Sequence, residues 1–191
     1  MNKAINRWRP YKDQQNGIEF DLSHLDAQTI EIVQAEKADK PERRTPCRLT
    51  FSHHCFTRKP DYDEQFSQEQ VYIEPSNEQR IFCHDRYALS RSVLIGLVTD
   101  KFIDGKTKCF HTNRGTFLLI ETLDQNGEQL SYEVYFDMFK SKSLKDGVYI
   151  NIRTAFVRDS RQGRRLRNIP KISLEVLAYK RVMGQPVPTR R

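Results

Sequence analysis

The chain has 191 residues, of which 37% are hydrophobic, and a formal net charge of +7 at pH 7. This length predicts one globular domain with a single core, and the chain contains no internal repeat or low-complexity run. The longest apolar runs, Val93 to Val98 and Phe117 to Ile120, are far shorter than the roughly 18 residues of a membrane-spanning helix. The first residues lack the apolar segment of a secretory signal. We therefore expect a cytoplasmic protein that has no membrane partner and keeps its four cysteines reduced.

The positive charge is concentrated in the last fifth of the chain. Residues 1–100 contain 14 Lys and Arg against 16 Asp and Glu, a net charge of −2, and residues 101–152 contain 7 against 7. Residues 153–191 contain 11 against 2, a net charge of +9. Such a basic segment is typical of proteins that contact phosphate backbones, although an acidic protein partner or solubility would favour the same composition.

The first half of the chain predicts few regular elements. Residues 1–46 form an irregular extension in which Gln28–Gln34, QTIEIVQ, alternates like a short strand. Apolar and polar residues alternate again over Arg48–Thr57, and Val71–Ile73 is predicted as a short strand within an acidic connection. From His84 to Phe102 the apolar residues recur at steps of three and four, which predicts the main helix.

The second half predicts a meander of four strands joined by short links. The strands are Thr116–Leu123, Leu130–Phe139, Val148–Asp159 and Lys171–Arg181. The turn Asp124–Gly127 between the first two contains Asn-Gly, a strong hairpin signal. We therefore predict an α+β fold in which one main helix packs on an antiparallel sheet of four to six strands. Residues 47–183 would form this single domain, and residues 184–191 would form a basic tail.

The stretch FSHHCFTRKP, Phe51 to Pro60, combines residue types of a metal site, a nucleophile and an acid–base centre. On a strand, residues two apart share a face, so His53 and Cys55 would point to the core and His54 and Arg58 to the polar surface. Cys55 would then lack the exposure that a nucleophilic thiolate needs. His54 fits a general acid or base for RNA cleavage, in which the 2′-hydroxyl of the RNA attacks the adjacent phosphate. A solvated surface histidine is the simpler interpretation.

Three Cys/His pairs leave a zinc site open as an alternative. They are His53 with Cys55, Cys83 with His84, and Cys109 with His111, and zinc accepts both ligand types. None of the pairs has the spacing typical of a structural zinc site, and buried free cysteine commonly serves as a small apolar residue. We therefore predict no metal and no cofactor, with a zinc-stabilised adaptor as a further hypothesis.

The last two predicted strands carry basic residues on their polar faces. Alternation places Thr154 and Phe156 on the apolar face, whereas Arg153, Tyr179 and Arg181 would line one groove. The loop between the strands adds a dense cluster of arginines, which hold phosphate oxygens in bidentate fashion. The predicted nucleic-acid contacts are Arg58, Arg158, Arg161, Arg164, Arg165, Arg167, Lys171 and Arg181.

The segments FSHHCFT, RYALS, YEVYF, INIRTAFVRD and LEVLAY together resemble a group of small bacterial proteins found on prophages, plasmids and other mobile islands. The resemblance covers residues 48–181. A helix followed by a four-stranded antiparallel sheet with basic and tyrosine residues on its open face is, more loosely, similar to the barnase, colicin and RelE superfamily of ribonucleases. This second resemblance rests on the order of the elements and implies RNA cleavage without a metal.

These observations lead to the hypothesis of an RNA-directed protein of a mobile element or host–phage conflict system, such as a toxin with metal-independent endoribonuclease activity. The predicted catalytic residues are His54, His84, Arg86, Arg153 and Tyr179, with Tyr87 as an alternative to Tyr179. Histidine would act as general acid or base, arginine would hold phosphate and tyrosine would stack or donate. The competing hypothesis is a non-catalytic module that binds nucleic acid, or an acidic partner such as an antitoxin, through its basic C-terminal surface.

Overall fold

The computed structural model describes residues 7–13, 16–36, 38, 41–65, 71–73, 79–112, 115–123, 129–157 and 169–187. The strands are β1 (Tyr11–Lys12), β2 (Glu19–Phe20), β3 (Gln28–Gln34), β4 (Arg43–Phe51), β5 (Thr57–Arg58), β6 (Val71–Ile73), β7 (Gln79–Phe82), β8 (Lys108–Thr112), β9 (Gly115–Leu123), β10 (Gln129–Lys140), β11 (Val148–Val157) and β12 (Lys171–Ser173). The helices are α1 (His84–Leu89), α2 (Ile95–Ile103) and α3 (Leu174–Val182), with a π-helical segment at Ser90–Leu94 and 3₁₀ turns at Ser23–Leu25 and His53–Cys55. Among these described helices, none has the length and apolar character needed to cross a membrane.

Seven strands form one curled, half-barrel sheet in the order β12-β8-β9-β10-β11-β4-β3. Neighbouring strands are antiparallel except β4 and β11, which run parallel. The other described strands form a two-stranded sheet, β1-β2, and a three-stranded sheet, β5-β7-β6.

The predicted sheet of four to six strands packed by one main helix is wrong. Of the residues that the structure describes, 45% are in strands and 24% in helices, and these helices are short. The seventh strand is β8, which the sequence analysis did not predict, and β3 and β4 join the sheet at the edge formed by β11. The parallel β4–β11 pair joins residues about a hundred positions apart in the chain, and local sequence patterns do not reveal such a pairing.

Alternate residues of the central strands point into the core. In β10 these residues are Tyr132, Val134, Phe136 and Met138, and each is at most 3% exposed. The ring of Phe102 from α2 meets that of Phe136 edge-on, with ring centres 5.0 Å apart. Burial of each of these large side chains contributes about 1.5–3 kcal/mol, so the alternation determines which face of the sheet receives α2.

A bulge changes the alternation of β11. The register between β10 and β11 shifts after Tyr135 and leaves Arg153 as the extra residue. Ala155 is therefore fully buried, whereas Thr154 and Phe156 turn to the opposite face. The prediction that Thr154 and Phe156 continue the apolar face of this strand is wrong for that reason.

Most of the last predicted strand is a helix. Only Lys171–Ser173 pairs as β12 with β8, and the chain then forms α3. The buried residues of α3, Leu174, Leu177, Ala178 and Val182, recur at helical steps of three and four. The strand prediction failed because this short apolar stretch fits both the alternating and the helical pattern.

The helix predicted from His84 to Phe102 is present, but it is interrupted. Residues His84 to Ile103 are helical throughout, with Ser90–Leu94 in the wider π-helical geometry. Segments of this kind occur where a helix accommodates an extra residue and are frequent at functional sites.

The described N-terminal residues pack against the rest of the domain. Trp8 is only 8% exposed, and its ring meets that of Phe56 edge-on at 5.3 Å. Its amide donates a hydrogen bond to the Asp26 carboxylate at 2.7 Å. Leu22 and Leu25 are buried in the same core. This part of residues 1–46 therefore belongs to the folded unit.

Candidate functional site

The histidine pair lies on a 3₁₀ turn rather than within a strand. β4 ends just before Ser52, whose hydroxyl accepts a hydrogen bond from the His54 amide at 3.2 Å. The same hydroxyl donates to the Arg153 carbonyl at 2.5 Å, which ties the turn to β11. His53 is 6% exposed, whereas His54 is partly exposed. The predicted strand to Thr57 is therefore too long, although the two histidines differ in burial as expected.

The structure brings Arg86 to His54 through the backbone. Nη1 of Arg86 donates to the carbonyl oxygens of His54 and Thr57, at 3.1 and 2.9 Å. Its guanidinium also lies 5.6 Å from the ring centre of Phe156. Since carbonyl groups withdrawn from water need donors, these contacts give Arg86 a structural role in holding the turn against α1.

His84 and Arg58 lie around a pocket of about 370 Å³. Both terminal nitrogens of Arg58 donate to the carboxylate of Glu64. Mainly through these hydrogen bonds, Arg58 lowers the pKa of Glu64 to about 2. Asp13 and Asp85 add two further carboxylates to the lining. The guanidinium of Arg58 is thus already occupied, and the pocket does not offer it to a phosphate.

Arg153 lies at the bulge of β11, and its charge is paired. Its Nε is 3.2 Å from Oδ2 of Asp137 on the neighbouring strand β10. A carboxylate at this distance offsets the positive field of the guanidinium. Arg153 is therefore a weaker phosphate contact than the sequence alone suggests.

Tyr179 lies at the opposite end of β4 from His54. Arg43 is the first residue of β4, and its guanidinium is 4.8 Å from the ring centre of Tyr179. His54 lies on the 3₁₀ turn just after the last residue of the same strand. β4 has nine residues, so its ends are separated by roughly 26 Å at a rise of about 3.3 Å per residue. One phosphodiester cannot contact both side chains over this distance. The structure thus does not assemble the predicted catalytic residues at one point.

Lys171 and Arg181 lie near β8. Nζ of Lys171 is 5.0 Å from the ring centre of Phe110. The pKa of His111 is lowered by burial and, to a smaller extent, by the charge of Arg181. Nδ1 of His111 is 2.7 Å from Oγ1 of Thr116. Within the described part of the chain, neither Lys171 nor Arg181 forms an ion pair.

Five predicted nucleic-acid contacts fall outside the described residues: Arg158, Arg161, Arg164, Arg165 and Arg167. The same is true of the predicted hairpin turn Asp124–Gly127. The antiparallel pairing of β9 with β10, which this turn predicts, is confirmed.

A row of stacked rings crosses four strands of the sheet, and sequence analysis missed it. The rings belong to Phe110, Phe117, Tyr135 and Phe156, with successive ring centres 5.0, 4.9 and 5.9 Å apart. Lys171 lies over the first ring and Arg86 over the last. Each stacked pair contributes about 0.5–1.5 kcal/mol beyond burial. The sequence shows only that each of the four strands carries an aromatic residue. The registers between the strands align these residues into a row, and the sequence does not reveal the registers.

A histidine–serine pair, also missed, joins the N-terminal segment to the π-helical segment. Nε2 of His24 is 2.8 Å from Oγ of the fully buried Ser90. The Ser90 hydroxyl donates to the Tyr87 carbonyl at 2.7 Å, so Nε2 of His24 is the donor in their mutual hydrogen bond. Burial lowers the pKa of His24 and favours this neutral form. A nucleophilic serine needs a histidine that accepts its proton, so this pair is structural.

The three Cys/His pairs do not converge on a metal site. In the described residues, no group of three or more His, Cys, Asp or Glu side chains is arranged to hold a metal ion. Burial also raises the pKa of the Cys55 thiol to about 12, which keeps the thiol protonated and unsuited to nucleophilic attack at neutral pH. The geometry therefore favours neither the zinc-stabilised adaptor nor a nucleophilic Cys55.

Comparison with known protein families assigns the chain to one of them. The model of the YjaZ family matches residues 10–182, from just before β1 to the end of α3. The chain belongs to the YjaZ family. Protein YjaZ of Escherichia coli strain K12 is 32% identical over 146 residues, which are 74% of this chain and 76% of that protein. No solved structure matches the chain.

The YjaZ match spans the candidate residues at both ends of β4. It contains His54 and Arg86 near the 3₁₀ turn, and it reaches Lys171, Tyr179 and Arg181 close to its C-terminal limit. The N-terminal residues that pack on the core from Tyr11 onward also lie inside the matched range. The name of the family describes no activity.

Proposed function

We propose that this YjaZ-family protein is a nucleic-acid-binding module that contacts phosphates through its C-terminal basic surface. This surface consists of Arg43, Lys171, Lys180 and Arg181. The observation that carries the proposal is a division among the cations: carboxylates neutralise some of them and leave those of this surface uncompensated in the described structure.

The neutralised cations lie away from α3. Arg58 binds Glu64, and Arg153 lies beside Asp137. The exposed Arg44 contacts Glu31 and Glu42 across and along the sheet edge. A phosphate would have to compete with these carboxylates, so such arginines contribute little to polyanion binding.

Three cations of the C-terminal basic surface contact a ring or a carbonyl group instead. Arg43 lies over Tyr179, Lys171 lies over Phe110, and Lys180 donates to the Pro186 carbonyl at 3.1 Å. These contacts leave the positive charges without a counter-charge among the described side chains. All four residues lie on α3 or next to it, and a helix of nine residues is roughly 14 Å long.

The charge of the whole C-terminal region supports the same conclusion. Residues 153–191 carry 11 Lys and Arg against 2 Asp and Glu, a net charge of +9. A phosphate backbone releases condensed counterions when such cations bind it, which makes the interaction favourable and strongly dependent on salt. The length of β4, roughly 26 Å, lies between the backbone of Arg43, whose side chain contacts Tyr179, and the turn that carries His54, and this arrangement favours binding over cleavage.

The proposal is tested by fluorescence anisotropy of a short labelled RNA between about 50 and 200 mM salt. The wild-type protein should bind with an affinity that falls steeply as salt rises. Replacing Lys171 and Arg181 by Gln should weaken binding and reduce the salt slope by about 1 to 2, because two phosphate contacts are lost. The same mixtures in EDTA, analysed on a denaturing gel, should contain intact RNA.

The matched control replaces Arg44 and Lys145 by Gln, which removes the same charge from two exposed positions outside this surface. Equal weakening by both double variants would mean that net charge alone attracts RNA, and it would contradict the proposed surface. Cleavage products with 2′,3′-cyclic phosphate ends that disappear in His54→Ala would instead establish an endoribonuclease centred on the 3₁₀ turn.

A further inference from the structure

One side of α3 is apolar although it faces solvent. Leu177 and Ala178 on the inner side are fully buried. On the outer side, Val176, Tyr179 and Met183 are 41%, 39% and 55% exposed. Their spacing of three and four residues places them in one stripe along the helix and its C-terminal cap. A surface helix normally presents polar residues to water, so this outer stripe indicates a contact with another molecule.

The centre of the outer stripe is a stacked pair. The guanidinium of Arg43 lies 4.8 Å from the ring centre of Tyr179, and both side chains are at least partly exposed. Arginine and tyrosine are the residue types on which unpaired bases stack, because both offer a planar surface that tolerates any base. Arg43 also brings a positive charge to the same point.

Cations border the outer stripe. Lys180 follows Tyr179 directly and is partly exposed, Arg43 lies over the Tyr179 ring, and Lys171 lies in β12 just before α3. A surface that combines planar and apolar side chains with positive charges is complementary to a single strand of nucleic acid, which exposes both its bases and its phosphates. A duplex exposes only its phosphates and base edges, since its bases are stacked on one another.

We propose that the outer stripe of α3 binds the unstacked bases of single-stranded nucleic acid, with Arg43 and Tyr179 as the stacking pair. The proposal rests on the proposed nucleic-acid-binding function and names the class of nucleic acid. Phosphates contact the C-terminal basic surface, and bases contact Tyr179 together with Val176 and Met183.

The test compares a labelled single-stranded RNA with the same sequence in duplex form. We expect the wild-type protein to bind the single strand at least tenfold more tightly, an order of magnitude that one stacked base provides. Tyr179→Ala should abolish this preference with little change in the salt slope, and Tyr179→Phe should retain it. The matched control is Tyr62→Ala, which removes a fully exposed tyrosine ring from the segment after β5, more than a hundred residues before α3 in the sequence.

The outcomes separate the two proposals. Equal affinity for single strand and duplex, with no effect of Tyr179→Ala, would overturn the stacking proposal and leave phosphate binding intact. Absence of binding to either RNA would overturn the proposed function and the stacking proposal with it. A dimer in analytical ultracentrifugation that Met183→Asp dissociates would show that a second copy of the chain covers the outer stripe, which also overturns the proposal.

Discussion

The amide of Gly105 donates a hydrogen bond to the carbonyl oxygen of Val33 at 3.0 Å and so joins the end of α2 to the edge strand β3. The carbonyl of Gly105 accepts a hydrogen bond from the Glu175 amide at 2.9 Å, which places the first turn of α3 at the same point. A Cβ atom on Gly105 would lie 2.3 Å from the Val33 oxygen and 3.1 Å from Cβ of Glu175. This junction, which holds the edge of the half-barrel to both helices, therefore requires glycine.

Gly105→Ala should lower the free energy of unfolding by about 1–3 kcal/mol or more, because the backbone of β3 must move away from the added methyl group. Urea denaturation measures the change. Gly96→Ala is the matched control, since a Cβ atom at this exposed helical position meets nothing within 4 Å. It should leave stability unchanged or raise it by up to about 1 kcal/mol. Equal stability of the two variants would contradict the close contact at Gly105.

Leu177→Ala and Val176→Ala distinguish the helix from the strand that was predicted for this segment. On the helix Leu177 is fully buried and Val176 is 41% exposed, whereas the strand would bury Val176. We expect Leu177→Ala to cost about 2–5 kcal/mol through the cavity it creates. Val176→Ala should change stability by less than about 0.5 kcal/mol. If Val176→Ala lowered the stability in thermal unfolding more than Leu177→Ala, the result would contradict the helix and support the predicted strand.

Only one of the four cysteines should react with a thiol reagent in the native protein. Cys47, Cys55 and Cys109 are fully buried, and burial raises the pKa of each thiol to about 12. Cys83 is partly exposed beside the pocket at the start of α1. Titration with Ellman's reagent should therefore detect about one thiol in buffer and all four in urea. Cys83→Ser should abolish the native reaction, and persistent labelling of this variant would disprove the burial of the others.

The stability of the protein should decrease as the pH falls from about 7 to 5. Burial is the main cause that lowers the pKa of both His24 and His111 in the folded state. Below about pH 6.5 the unfolded chain takes up protons that the folded chain does not bind. The stabilisation is thus fully present above the unfolded pKa and is lost as the pH falls toward the folded values.

The variant His24→Gln isolates one of the two histidines, because a glutamine amide can still donate to Ser90 but does not titrate. Urea midpoints between pH 5 and 7 should vary less in this variant than in the wild type. Glu64, whose pKa is lowered from 4.5 to about 2, contributes only weakly and only at the acid end of this window. An unchanged pH profile would mean that His24 titrates equally in both states.

Elements that depend on local alternation were predictable. The strand Gln28–Gln34 has the bounds expected from the sequence, and the observed limits of β9 and β10 differ from the predicted ones by one residue at most at each end. Adjacent residues along these strands determine which side is apolar, so no distant contact is needed to recognise them. The bulge at Arg153 was not predictable in this way, because it depends on how β11 is paired with β10.

In the candidate site as well, some features were predictable from the sequence and others depended on tertiary contacts. Residue types alone identified the basic C-terminal region, and the described Lys171, Arg181 and Tyr179 do lie on or beside one helix. The sequence placed Arg58 and Arg153 in the same functional group, but Glu64 and Asp137 neutralise them from other positions. It also placed His54 near Tyr179, although β4 separates them. Pairing of charges depends on which side chains meet in space, and spacing along the chain does not reveal it.

By itself, the sequence of this protein determined the alternation of its strands, the helical run from His84 and the concentration of +9 charge in residues 153–191. These properties depend on neighbouring residues or on composition. The tertiary structure alone decided the seven-strand order, the parallel β4–β11 pair and the choice of a helix for Leu174–Val182. The physical reason is that each of these features gains its stability from burial and hydrogen bonds between segments far apart in the chain, which outweigh weak local preferences.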